Sequence, residues 1–427
     1  MTVVELAKSR IWQRARAAES AKKRTGKGTR SYHLVISIAG ILLGFGLVMI
    51  LSASSVSSYT EYGSSFLFFE RQLVWAALGV VTMVFLSRFD YHRWRSAGWV
   101  LLALTIGGLV LVLHPAFGTR VGGSARWIGF GAIRVQPSEI AKLALLLVAA
   151  DICVRKQGKM TTLREIALPL GVIAFIVAAL IMLQPDLGTM LIIAMIMFVV
   201  IFVAGVPMPL LASVGVMCSV GALGLALTEG YRRARLFSFL NPFRDPLNSG
   251  YQSVQSLIAL GSGGFFGVGL GASRQKWLYV PNAHTDFIFS ILGEELGLIG
   301  TLAVIALFVG FAYAGIRVAR RAPDPFGRLV ASGITVWIVG QAVVNMGAVT
   351  GLLPITGVPL PLVSFGGSSL VISLAGIGIL ANIARQEQWP PPGSKKEKAP
   401  AGPRRRPLRV AVAAGAHGSG RRPSPGR

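Results

Sequence analysis

The chain has 427 residues, 53% of them hydrophobic and only 14% charged, with a mean hydropathy of +0.63, which excludes an ordinary set of two or three soluble domains. Its net charge of +25 is concentrated at the ends: residues 1–32 hold nine Lys/Arg against two Glu, residues 385–427 hold eleven against two, and together they carry 16 of the 25. Basic runs placed beside a membrane commonly fix topology and meet anionic lipid, so no nucleic-acid partner is expected.

The basic segment 1–32 is read as a cytoplasmic tail, and the apolar run after it as a retained span, because no convincing small-residue cleavage site follows. Runs of about 20 apolar residues, enough to cross a bilayer core as a helix, then recur. Ten are predicted, at 34–53, 71–87, 97–114, 137–154, 165–183, 187–204, 207–228, 286–316, 329–350 and 363–384. The expected fold is an all-α polytopic membrane protein with a large outer loop between helices seven and eight. Arg88, Arg93 and Arg95 follow span two, Arg155, Lys156, Lys159 and Arg164 follow span four, and Arg317, Arg320, Arg321 and Arg328 follow span eight. By the positive-inside rule both termini are cytoplasmic. Residues 33–385 form one membrane domain, and 386–427, containing WPPPGSKKEKAPAGPRRRP, read as a disordered basic cytoplasmic tail. Cys153 and Cys218 both fall within spans, so no disulfide framework or metal-ligand spacing is present.

This topology puts 54–70, 115–136, 184–186, 229–285 and 351–362 outside. The longest, 229–285, is too apolar and glycine-rich for a hydrated linker and is expected to lie partly in the membrane interface. These loops carry cations that the topology rule would not put there: Arg120, Arg126 and Arg134 in one, Arg232, Arg233, Arg235, Arg244, Arg274 and Lys276 in another. Singly, each could snorkel or pair with Asp245; as a set, joined by Gln252, they suit a phosphate-bearing lipid head group.

Three acidic motifs stand at outer helix ends. In QPSEIAK, Pro137 starts span four, and Glu139 and Lys142 lie three apart on one face, where they can pair as a structural unit. In QPDLGT, Asp186 is placed to cap span six. In PNAHTDFIFSILGEELG, Asp286 or Thr285 could cap span eight, yet Asp286 also follows the Arg274/Lys276 segment, and a carboxylate beside bound phosphate is a natural general base. Glu294 and Glu295, roughly 12–14 Å further along that helix, would be deep in the bilayer as interior hydrogen-bonding groups. Three prolines between Gly351 and Ser369 forbid continuous helix there, so this segment is expected to line the same cavity as Asp286, with the Ser364-to-Ser369 amides and hydroxyls, Ser368 among them, open to a sugar or phosphate.

Taken together, PNAHTDFIFSILGEELGLIG, QPSEIAKLALLL, QPDLGT, RRARLFSFLNPFRDP, GYQSVQSLIALGSGG and NMGAVTGLLPITGVPLPLVSFGGSSL resemble the FtsW/RodA family, also called SEDS, across residues 33–385, and are most like its cell-division member. Asn282 departs from the family, many of whose members carry Glu there. The resemblance implies a peptidoglycan glycosyltransferase that polymerises lipid II at the outer face of the bacterial cytoplasmic membrane, beside a class B penicillin-binding transpeptidase and other division proteins. On the placement of these residues, Asp286 is expected to be the base on the acceptor sugar, with Lys276 and Arg235 foremost among the cations expected to hold the departing pyrophosphate. A divalent cation could assist, and the sequence places none. A lipid II flippase and a noncatalytic scaffold for the transpeptidase are the alternative readings.

Overall fold

The computed structural model describes residues 30–121, 124–130, 133–157, 163–228, 239–248, 250–277 and 279–387. Most of both basic tails, and Arg232, Arg233 and Arg235, lie outside these residues. Eleven helices are named here: α1 Arg30–Tyr62, α2 Leu67–Arg88, α3 Trp94–Leu113, α4 Pro137–Arg155, α5 Val172–Met182, α6 Leu187–Val203, α7 Met208–Thr228, α8 Tyr251–Ser262, α9 Ile288–Arg321, α10 Pro325–Val349 and α11 Gly367–Arg385. All but α8 answer to the ten predicted apolar runs. Six helical stretches among the described residues are long and apolar enough to cross a membrane on those grounds alone: α1, α2, Tyr91–Leu113, α9, α10 and α11.

The helices start where local chemistry dictates. Pro137 and Pro325 occupy the first turns of α4 and α10, where the missing N–H costs nothing. Asp324 caps α10 by accepting from Phe326 N (3.1 Å) and Gly327 N (3.3 Å). The fifth run is less regular than expected: a short helix, Leu163–Ile166, and a wide turn, Ala167–Gly171, precede α5.

At the centre is α4, with sixteen of its nineteen residues buried and α3, α6, α10 and α11 packed around it. Helices α2 and α11 approach closely because Gly378 leaves room; a β-carbon there would lie 2.6 Å from Met83 O. Outward-facing apolar side chains such as Val74, Val81, Val100, Leu104 and Val309 are exposed, as a lipid-facing surface requires.

Polar networks gather at the two ends. At the end holding the arginines after α2, α4 and α9, buried Asp151 accepts from Arg95 Nε (2.5 Å), Arg155 Nε (2.8 Å) and Trp99 Nε1 (3.0 Å), and Tyr91 OH donates to Asp324. The opposite end holds the loops assigned above to the outside. There, residues 118–135 form an antiparallel sheet, β1 Gly118–Val121, β2 Ser124–Phe130 and β3 Ile133–Val135, with Thr119 opposite Trp127 and Gly129 opposite Arg134. Backbone pairing thus orders a segment expected from sequence to be loop.

Helix α9 is broken. Gly297, at φ 64° and ψ −160°, adopts backbone angles open only to glycine. The groups freed by the break pair with the chain just after α8: Val268 N donates to Glu294 O (2.9 Å), Gly269 N to Glu295 O (3.0 Å) and Leu298 N to Gly264 O (2.9 Å). Irregular backbone in an apolar surrounding is tolerated only when protein satisfies it in this way. The segment from Leu298 to Arg321 is about 36 Å long at 1.5 Å per residue and can cross the bilayer core unaided. Glu294 and Glu295 therefore stand just before the break, on the side of α9 that meets the loop after α8.

Candidate functional site

Four of the carboxylates singled out by sequence are committed inside the protein. Glu139 (3% exposed) and Lys142 (1%) pair at 2.8–2.9 Å, and Lys142 Nζ also donates to Gln341 Oε1 (3.0 Å) above the Trp337 ring. Asp186 (4%) caps α6 through Thr189 N (3.1 Å) and Thr189 Oγ1 (2.8 Å), and accepts from Gln136 Nε2 (3.2 Å). From β2, Arg126 donates to Gln184 O (3.1 Å) and Pro185 O (2.5 Å), so it braces this turn.

Glu294 (2%) accepts from Ser273 Oγ (2.5 Å), Arg274 N (2.9 Å) and Gln275 N (3.4 Å). Glu295 (0%) accepts from Ser52 Oγ on α1 (2.6 and 2.7 Å) and faces Lys276 Nζ at 3.5 Å. These are interior hydrogen-bonding groups, as expected, and their task is to fasten the long loop to α9 and α1. Lys276 is held differently from its neighbour: its ammonium is buried, donating to Gly271 O (2.6 Å) and pairing with Glu295. Arg274, two residues earlier and anchored through its own amide, is exposed.

Asp286 differs from those four in being only half-buried. Neither it nor Thr285 caps α9, because the helix begins at Ile288 with Phe287 at the cap position and no side-chain cap. The segment from Gly351 to Gly366 is irregular, as the prolines require, and lies against Asp286: a β-carbon on Gly357 would stand 3.6 Å from Asp286 Oδ2. Phe365 N donates to His284 O (2.9 Å), the Ser364 hydroxyl to Thr285 O (2.6 Å) and Asn345 Nδ2 to Asp286 O (2.7 Å). The His284 ring stacks on Phe68 (centroids 5.0 Å apart) with its Phe365 contact edge-on (5.6 Å), and burial pushes its pKa down to about 4.

The hydroxyls expected to be open to a ligand are mostly engaged. Ser364 Oγ also accepts from Leu360 N (2.8 Å), and buried Ser368 accepts from Gln136 N (3.3 Å). Gln252 is half-buried on the first turn of α8, and Arg244 is exposed beyond it. Arg232 and Arg235 lie outside the described residues. Among the described residues, no three His, Cys, Asp or Glu side chains gather as a metal ion would require. Sequence reasoning missed Asn345 and Gln341, for each of which a lone amide inside an apolar run was the available signal, whereas Ser364 and Arg274 were expected as ligand-facing groups and not as supports of this end.

A family described as cell cycle protein, grouping FtsW, RodA and SpoVE, matches residues 32–389. Stage V sporulation protein E of Bacillus subtilis is 44% identical over 365 residues, covering 86% of this chain and 100% of that protein. The probable peptidoglycan glycosyltransferase FtsW of Mycobacterium tuberculosis is 43% identical over 374 residues, covering 86% of this chain and 71% of that one. Among solved structures, a chain from a peptidoglycan synthase complex that coordinates polymerization and crosslinking aligns with TM-score 0.68 and 28% identity over 82% of this chain and 96% of that one. The rod shape determining protein RodA of Thermus thermophilus aligns with TM-score 0.61 and 29% identity over 83% and 96%.

Proposed function

The chain belongs to the FtsW, RodA and SpoVE family, and from that premise we propose that it is a peptidoglycan glycosyltransferase of the cytoplasmic membrane that polymerises lipid II for septal wall synthesis. The observation that carries the site assignment is the contrast in exposure among these carboxylates: Glu139, Asp186, Glu294 and Glu295 are buried, whereas Asp286 is half-buried beside the irregular 351–366 segment. No sugar nucleotide is available outside the cytoplasm, so a donor acting there must arrive already activated. A polyprenyl pyrophosphate is such a leaving group and needs little acid help. One base and a set of cations then suffice, unlike the paired carboxylates of glycoside hydrolysis.

In the proposed reaction the Asp286 carboxylate takes the proton of the 4-hydroxyl on the acceptor N-acetylglucosamine. That oxygen attacks C1 of the lipid-linked N-acetylmuramic acid at the end of the growing strand; the C1–O bond to pyrophosphate breaks with inversion, and the lipid pyrophosphate departs. Exposed Arg274, with Arg244 and the undescribed Arg232 and Arg235, is assigned to the developing phosphate charge in place of Lys276. The active end faces outward, both termini are cytoplasmic, and a class B transpeptidase is the partner.

The test is purified full-length protein with lipid II in liposomes, scored for glycan on gels and for lipid movement, with and without the cognate transpeptidase. Glycan formed in the absence of other polymerases is the expected result. Lipid movement without glycan would make the protein a transporter, and neither, even with the transpeptidase, a scaffold. A folded Asp286→Asn variant is expected to be inactive; polymerisation at the parental rate would remove the base assignment.

A further inference from the structure

We propose that Asn345 and Ser364 are positioning residues for the transfer reaction, acting by clamping the main chain that carries Asp286; this inference rests on the base assignment above. Three consecutive carbonyls, of His284, Thr285 and Asp286, each accept a hydrogen bond from outside their own segment, respectively from Phe365 N, Ser364 Oγ and Asn345 Nδ2. These residues precede the first turn of α9, so helical hydrogen bonding does not set their orientation. With three successive peptide units held, the remaining freedom of the Asp286 carboxylate is that of its own side-chain torsions.

Asn345 is the link between the two halves of the site. It is 2% exposed on α10, which packs on both α4 and α9, and the same Nδ2 that donates to Asp286 O donates to Val358 O at 2.8 Å. One nitrogen thereby joins the loop bearing the base to the segment lying against it. The task needs two donors on one atom, which a carboxamide has and a carboxylate or hydroxyl lacks. One helical turn earlier, Gln341 Nε2 donates to the adjacent carbonyl, Pro359 O (2.9 Å), while its Oε1 accepts from Lys142 and Trp337. The α10 amides therefore tie the proline-rich segment to the central buried ion pair. Ser364 closes the clamp from that segment, accepting from Leu360 N as it donates to Thr285 O.

The experiment measures lipid II polymerisation rate against substrate concentration for full-length protein carrying Asn345→Ala, Asn345→Asp, Ser364→Ala or Ser364→Thr, with Asp286→Asn alongside and a thermal midpoint for each. Loss of the clamp is expected to lower kcat of the folded protein by on the order of tenfold to a hundredfold at nearly unchanged KM, the usual scale of losses from misplacing a reacting group. Asn345→Asp, close in shape but without the donors, is expected to behave like Asn345→Ala, and Ser364→Thr, which keeps the hydroxyl, to recover much of what Ser364→Ala loses. A purely structural role would instead lower the midpoint while the folded fraction turned over at the parental kcat, and that result overturns the proposal. Should the Asn345 variants fail to fold, the Ser364 pair decides: equal kcat for Ser364→Ala and the parent overturns it. If Asp286→Asn is inactive while the clamp variants retain parental kcat, only the positioning proposal falls; if Asp286→Asn is itself fully active, the base assignment falls first.

Discussion

Arg274 and Lys276 stand two residues apart and meet opposite fates because Glu294 and Glu295 are neighbours on α9. Glu294 captures the main-chain amide of Arg274 and leaves the guanidinium outside, whereas Glu295 draws in the Lys276 ammonium itself. Sequence could count these charges but could not assign partners, since an acceptor about twenty residues away and a serine 243 residues away decide the outcome. His284 gives a residue-scale prediction. Its folded pKa, about 4, lies below the roughly 6.5 of an unfolded histidine. The native state therefore binds fewer protons between those values, so this contribution to stability is present above pH 6.5 and is lost as pH falls toward 4. The thermal midpoint of purified protein is expected to decline from pH 6.5 to 5, and His284→Phe, which keeps a ring beside Phe68 and Phe365, is expected to flatten that decline; an unchanged slope would assign it to other groups.

Among elements, those with a strong apolar period were legible from sequence and those made by pairing were not. Ten apolar runs became helices because length and hydropathy suffice for a span, and Pro137, Asp186 and the prolines after Gly351 marked ends by purely local chemistry. The sheet at 118–135 was missed because its strands are three to seven residues long. The α9 break was missed because a single glycine inside an apolar run usually stays helical, and only the 263–269 segment turns Gly297 into a junction. Glycine is mandatory there, since a β-carbon would lie 2.4 Å from Gly267 N and 2.6 Å from Phe265 O. Gly297→Ala is expected to cost about 1–3 kcal/mol or more in stability through backbone strain alone. Gly107→Ala, with nothing within 4 Å of the added carbon, serves as the control, and equal thermal midpoints for the two would refute the junction.

For the whole molecule, the site is assembled from connections that are distant in sequence, which is why its carboxylates were visible beforehand and its scaffold was not. The orientation proposed above is open to direct labelling. In a background lacking Cys153 and Cys218, a cysteine replacing exposed Phe266 is expected to react with an impermeant maleimide on intact spheroplasts, and one replacing Arg320 only after permeabilisation; the reverse pattern would invert the molecule. The buried pair on α4 also bears on how the chain is made. Gln341 lies 199 residues after Lys142, so at about 5–20 residues per second it leaves the ribosome roughly 10–40 s later. During that interval the lysine has no α10 to receive it, but Glu139, three residues ahead on the same helix, is already present. With that spacing, α4 can be handed to the translocon with these two charges cancelled, and Gln341 need only complete a partnership formed when the helix was born.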